Sequence, residues 1–125
     1  MKYERVSLGR PAVFLLPSLK LKSWWDETKR QTAEDAIQHF LIAQFGGFTV
    51  TAGNIFGYWT GADQEMFYGE HRLYSVAFNG KEKIPVLEKF LAQVAFILGE
   101  QCIYLETGED AWLIYPTKPK TKMST

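Results

Sequence analysis

His71-Arg-Leu-Tyr-Ser-Val-Ala-Phe78, the break at Asn79-Gly80 and the run from Lys81 to Leu98 decide the fold. The first segment alternates side chains with a period of two, as a strand with one buried face does. The second repeats Ile84, Leu87, Phe90, Leu91, Val94 and Leu98 at helical spacing. Pro85 falls in its first turn, where a missing N–H costs nothing, and Gly99 stops it. In the strand, Tyr74, Val76 and Phe78 form the more apolar set and are expected to face the helices. The other face would then show Thr49, Thr51, His71 and Ser75.

Upstream, the spacing predicts a helix over Asp26 to Phe45, with Ala33, Ala36, Ile37, Phe40, Leu41 and Gln44 on one face. Ser23 or Asp26 would cap it, although Thr32 with Asp35 three residues on also marks a later start. Gly46-Gly47 ends it, and Phe48-Thr-Val-Thr-Ala52 alternates as a strand. Gly53-Asn54 and Gly57 predict a bend into Tyr58-Trp59, and Thr60 to Tyr68 reads as a polar loop. Further upstream, Arg10 to Ser18 holds Ala-Val-Phe-Leu-Leu between prolines, which suits a buried strand. Downstream, Gln101 to Glu106 and Ala111 to Tyr115 are two strands joined by Thr-Gly-Glu-Asp. The order β-α-β-β-α-β-β predicts an α+β fold: a ferredoxin-like βαββαβ antiparallel sheet, two helices on one face and an extra C-terminal strand.

Composition narrows the function classes. The 125 residues are 46% hydrophobic and 22% charged, as in one globular domain, expected to span residues 1–116. Residues 117–125, with Lys118, Lys120 and Lys122, read as a flexible basic tail. Lys plus Arg and Asp plus Glu are 14 each, a zero balance that disfavours a nucleic-acid binder and favours self-association. The charge is nonetheless uneven: both ends are basic, while residues 31–110 carry eleven acidic and four basic side chains. One cysteine, Cys102, forms no internal disulfide, and no apolar run near the N-terminus is long enough for a signal core or a membrane span. The expected location is cytoplasmic, without a membrane partner.

Phe45-Gly-Gly-Phe-Thr-Val50, Gly57-Tyr-Trp59, a Glu-bearing strand and Gly99-Glu-Gln-Cys-Ile-Tyr104 together resemble a family of small bacterial domains of unknown function. In that family a helix runs into a Gly-Phe-Thr-Val strand, a Gly-x-Trp follows, a Glu opens the next strand and a Gln precedes the last. The resemblance spans roughly residues 12–107 and implies the same α+β fold. It brings no activity with it, and the secretion signals common in the family have no counterpart here.

Named catalytic signatures are absent: no phosphate loop, no paired Cys-x-x-Cys, no His-Glu-x-x-His and no Gly-x-Ser-x-Gly. One cysteine and two histidines fall short of a structural zinc site, so neither metal nor cofactor is expected. The best catalytic candidates are Glu65, Glu70, His71 and Glu106, as paired carboxylates or as a carboxylate orienting an imidazole. Neighbours in a strand point to opposite faces, which works against Glu70 and His71 sharing one site. Aromatic side chains make up 15% of the chain, and Trp24, Trp25, Tyr58, Trp59, Phe67, Tyr68 and Trp112 lie where a core would not obviously reach them. Trp24, Trp25, Trp59 and Tyr68, with Thr49 and Thr51, are therefore the candidate binding residues. The leading expectation is a non-enzymatic binding or assembly module, a homodimer or a binder of a protein partner through an aromatic-rich sheet face or edge. The alternatives are a small hydrolase or nuclease using Glu70, His71 and Glu106, or a nucleic-acid-binding domain.

Overall fold

The computed structural model describes residues 1–60, 64 and 66–116. The expected tail at 117–125 and the candidate Glu65 lie outside the described residues, as do the side chains of Trp59 and Phe67.

Among the described residues, eight strands and two α-helices follow one another as β1 (Arg10–Pro17), β2 (Trp24–Asp26), β3 (Gln31–Thr32), α1 (Ala33–Phe45), β4 (Thr49–Val50), β5 (Ile55–Thr60), β6 (Met66–Phe78), α2 (Lys83–Leu98), β7 (Ile103–Thr107) and β8 (Asp110–Ile114). The main sheet is antiparallel in the order β4-β6-β1-β7-β8, and β5 pairs with the first part of β6. The α+β class therefore holds, with a helix-covered antiparallel sheet.

Alternation along the two central strands explains the layering. Ala12, Phe14 and Leu16 of β1 join Tyr74, Val76 and Phe78 of β6 and Ile103 and Leu105 of β7 in one core. Ile37 and Leu41 of α1 and Leu87, Leu91 and Val94 of α2 close it from one side of the sheet. Stacking of Phe40 on Phe90, with ring centroids 3.6 Å apart, ties the two helices together. Phe14 stacks on Tyr74 at 5.7 Å within the sheet layer. The Tyr74 hydroxyl is buried beside the Gln38 amide, and burial raises its pKa above the usual 10.0.

Three expectations about elements need correction. The first helix begins at Ala33 instead of Asp26, because Thr32 is its N-cap and accepts a hydrogen bond from the Asp35 N–H at 3.2 Å. The preceding residues form the short β2–β3 pair, turning through Arg30 at φ 55°. The segment read as a bend and polar loop is instead a hairpin. β5 pairs with β6 from Ile55↔His71 to Thr60↔Met66, so β6 is five residues longer at its start than its alternating part suggested. Gly57, read as part of a bend, is the cross-strand partner of Gly69 in it. Finally, Trp25 packs on the core against Phe90 instead of lying outside it.

No helix among the described residues is long and apolar enough to cross a membrane.

Candidate functional site

The first half of β6 carries different chemistry on its two faces. Directly opposite residues in a sheet project to the same side, so the pairs Phe56↔Glu70 and Tyr58↔Tyr68 place four side chains on one face of the hairpin. Tyr58 and Tyr68 lie with ring centroids 4.8 Å apart, and Phe56 and Tyr68 stack at 6.4 Å with planes 13° apart. These rings are open to solvent, at 56% for Phe56, 68% for Tyr58 and 55% for Tyr68. Glu70 sits half-buried at the foot of this aromatic platform, and its Oε1 accepts a hydrogen bond from the Asn54 amide at 3.3 Å. Its backbone carbonyl accepts from the Ser18 hydroxyl at 3.1 Å, which fastens this part of β6 to the end of β1.

The opposite face is closed. His71 is only 9% exposed, which departs from the polar, solvent-facing sheet surface expected for it. Its ring occupies the space left by the absent side chain of Gly69, and it lines a cavity of about 210 Å³ with Glu100, Cys102, Tyr104 and Leu113, which Tyr68 of the platform also borders. Burial holds its pKa below the usual 6.5, while the Glu100 carboxylate and a hydrogen bond with the Gly69 backbone act against that shift. Glu100 is itself held by Lys20 at 2.6 Å. Burial also pushes the Cys102 thiol up, opposed by a hydrogen bond from Tyr115. Both shifts work against an imidazolium–thiolate pair between these two cavity-lining residues.

The remaining candidates are spread out. Glu106 is exposed on β7 and accepts from the Tyr104 hydroxyl at 2.7 Å, a bond that raises the Tyr104 pKa. The register sets Glu106 level with Val13 and Ser75, five residues along β6 from Glu70 and on the side of the sheet away from the helices. Within one chain Glu70, His71 and Glu106 therefore do not converge. Thr49 is exposed at the edge of the sheet. The Thr51 hydroxyl is spent on structure, donating to the Gly53 carbonyl and accepting from the Leu73 N–H, each at 3.1 Å. Trp24 is half-exposed on β2, away from the hairpin in sequence and sheet. Among the described residues no group of three His, Cys, Asp or Glu side chains is arranged to hold a metal ion.

Phe56 and Glu70 as platform neighbours could not be read from the sequence, because Gly57 and Gly69 disguise the hairpin as a loop. The available signal was the alternation Phe56, Tyr58 and Tyr68, Glu70 around those two glycines.

The chain matches no family model and no curated protein. Its fold is found in solved structures of phage SAM lyase. One, in complex with S-methyl-5'-thioadenosine, superposes with a TM-score of 0.57 over 92% of this chain and 96% of that one, at 11% identity. Another, in the apo state, gives a TM-score of 0.56 over 96% and 100%, at 12% identity. The likeness is one of fold.

Proposed function

We propose that the chain is an enzyme of the SAM lyase kind, binding an adenosyl sulfonium on the β5–β6 platform and cleaving a carbon–sulfur bond. The observation that carries this reading is a carboxylate, Glu70, on the same face as three open aromatic rings. A purine ring stacks on such rings, typically for about 1–3 kcal/mol per base. A sulfonium, like a quaternary ammonium, is drawn to the negative faces of the rings and to the carboxylate. The fold shared with phage SAM lyase adds weight, since a neighbouring structure holds S-methyl-5'-thioadenosine.

The chemistry constrains Glu70 further. When the carbon–sulfur bond breaks, its electron pair moves onto sulfur to give the neutral thioether, and the substrate's own carboxylate oxygen bonds to the carbon that loses sulfur, closing a lactone while positive charge builds briefly at that carbon. A site complementary only to the sulfonium would hold the substrate without accelerating its cleavage. A carboxylate that follows the charge to carbon lowers the barrier, and Asn54 holds Glu70 in one orientation for that task.

The test is incubation with S-adenosylmethionine, following release of S-methyl-5'-thioadenosine by chromatography, beside calorimetric titration with S-methyl-5'-thioadenosine itself. Turnover that Glu70→Gln abolishes supports the reading. Absence of both turnover and binding at millimolar ligand overturns it.

The exposed rings Phe56, Tyr58 and Tyr68 favour a second, non-enzymatic reading, in which the platform is the anchor of an interface with a protein partner. It predicts no ligand binding and a complex that Tyr58→Ala weakens.

A further inference from the structure

The outer edge of β6 is covered unevenly. β5 pairs with residues 66–71 and β4 with Tyr74 and Ser75, and among the described residues no strand pairs with it beyond Ser75. A cleft of about 590 Å³ opens there, between the end of α1, the start of α2 and this edge. That volume lies in the range of small-molecule sites. Gly46 and Gly47 form part of its wall, and only Gly46, at φ 83°, has a conformation that calls for glycine. A Cβ on Gly47 would meet nothing within 4 Å, so its missing side chain relieves no crowding and leaves the cleft open.

The chemistry of the lining is one-sided. Lys83 is the sole charged side chain among the described residues of the wall. It is half-buried, with its Nζ 5.9 Å from the centre of the Phe45 ring and donating to Gln44 Oε1 at 2.9 Å. An ammonium has three N–H donors, so that bond leaves two for a ligand. The ion pairs among the described residues use Lys20 and Lys22, and no carboxylate neutralises Lys83. Thr49 and Ser75, direct cross-strand partners, bring two hydroxyls to the same cleft. On this edge the Thr51 N–H donates to the Leu73 carbonyl at 3.0 Å, so by strand alternation Ala77 also turns its N–H outward. Phe48, half-buried, supplies apolar wall beside these donors.

We propose that this cleft binds a small organic oxyanion, a carboxylate or a phosphate ester carried on an apolar body. The oxyanion takes its charge-assisted hydrogen bond from Lys83 and further ones from the Thr49 and Ser75 hydroxyls, while the apolar body lies against Phe48. A cationic ligand finds no counter-charge in this lining, and a neutral one leaves the half-buried ammonium uncompensated. The site stands apart from the β5–β6 platform, which uses the opposite end of β6, and does not depend on the reading of that platform.

Amide-resolved NMR titration of the full chain with phenyl phosphate, with benzoate and with neutral benzyl alcohol tests this. The expected result is saturable shifts at Gly47, Phe48, Ser75 and Ala77 with one or both anions, the tighter of them naming the oxyanion. Benzyl alcohol should bind roughly tenfold more weakly or worse, and Lys83→Gln should weaken the anions by a similar factor, as loss of a charged hydrogen bond does. Lys83→Arg should retain binding. Lys83→Gln also alters the link to Gln44, so the comparison of benzoate with benzyl alcohol on the wild type stands as a test without any variant. Absence of saturable shifts at about 20 millimolar anion overturns the proposal. So does equal affinity for benzyl alcohol, or an unchanged affinity in a folded Lys83→Gln variant. Shifts confined to the β5–β6 hairpin overturn it as well, because the anion would then be a ligand of the platform.

Discussion

The imidazole of His71 lies where a side chain of Gly69 would stand: a Cβ on Gly69 would come within 2.6 Å of His71 Cε1. The ring is buried, so the pair is a packing unit within the hairpin strand. Gly69→Ala is expected to destabilise the protein by about 1–3 kcal/mol, as overpacking in a filled site does. Replacing His71 as well should recover most of that loss. Urea denaturation of wild type, Gly69→Ala, His71→Ala and the double variant measures the coupling, and additive losses would show that the two residues do not share the space.

Burial of the same ring makes stability depend on pH. His71 is held below its ordinary 6.5 by desolvation, with Glu100 and the Gly69 backbone resisting. Between the folded and unfolded pKa values the unfolded chain binds the extra proton. The contribution of His71 is therefore complete above pH 6.5 and is lost as the pH falls below 6.5 through the folded value. Denaturation midpoints from pH 8 to 5 should fall more steeply for wild type than for His71→Gln. Parallel profiles would mean that the imidazole titrates equally in both states.

Thr32 fixes where α1 begins. Its hydroxyl accepts the Asp35 N–H, and Glu34 and Asp35 place negative charge in the first turn, where the helix dipole favours it. Thr32→Ala should cost about 1 kcal/mol, read from thermal melts, while Thr32→Ser or Thr32→Asp should retain the cap. At the other end Gly46 stands at φ 83° with open space around it, so Gly46→Ala pays conformational strain alone, about 1 kcal/mol, and Gly47→Ala should be near neutral.

Those two ends show what the sequence could and could not say. Period and punctuation located the core: Tyr74, Val76 and Phe78 face the helices, and Ala33, Ile37 and Leu41 form the buried stripe of α1. The helix start was ambiguous because Asp26 and Thr32 are both good caps, and only the β2–β3 pair, which holds two residues of each strand in tertiary contact, decides between them. The candidate site was harder. Gly57 and Gly69 each signal a break locally, and their meaning as cross-strand partners depends on a register that one strand alone does not carry.

Cys102 offers a check on the cavity behind the platform. Burial and the nearby Glu100 carboxylate both favour the thiol over the thiolate, against the hydrogen bond from Tyr115. At pH 8 the native protein should react with a disulfide reagent more slowly than the unfolded chain does. Tyr115→Phe removes the one interaction that favours the thiolate and should slow the reaction further. Faster reaction in that variant would mean that Tyr115 acts by shielding the sulfur.

The platform residues separate ligand binding from folding. Tyr58 and Tyr68 are more exposed than buried, so Tyr58→Ala and Tyr68→Ala should move the melting temperature little. If the proposed adenosyl ligand stacks there, each substitution removes about 1–3 kcal/mol of binding, roughly 5- to 150-fold in Kd for S-methyl-5'-thioadenosine. Tyr58→Phe should keep most of the affinity, because the ring face does the stacking. Glu70→Gln makes a sharper distinction. S-methyl-5'-thioadenosine is neutral and S-adenosylmethionine is a sulfonium, so loss of the carboxylate charge should weaken the second far more than the first. Equal weakening of both, measured by calorimetry, would assign Glu70 to a hydrogen bond with the nucleoside and remove it from the chemistry at sulfur.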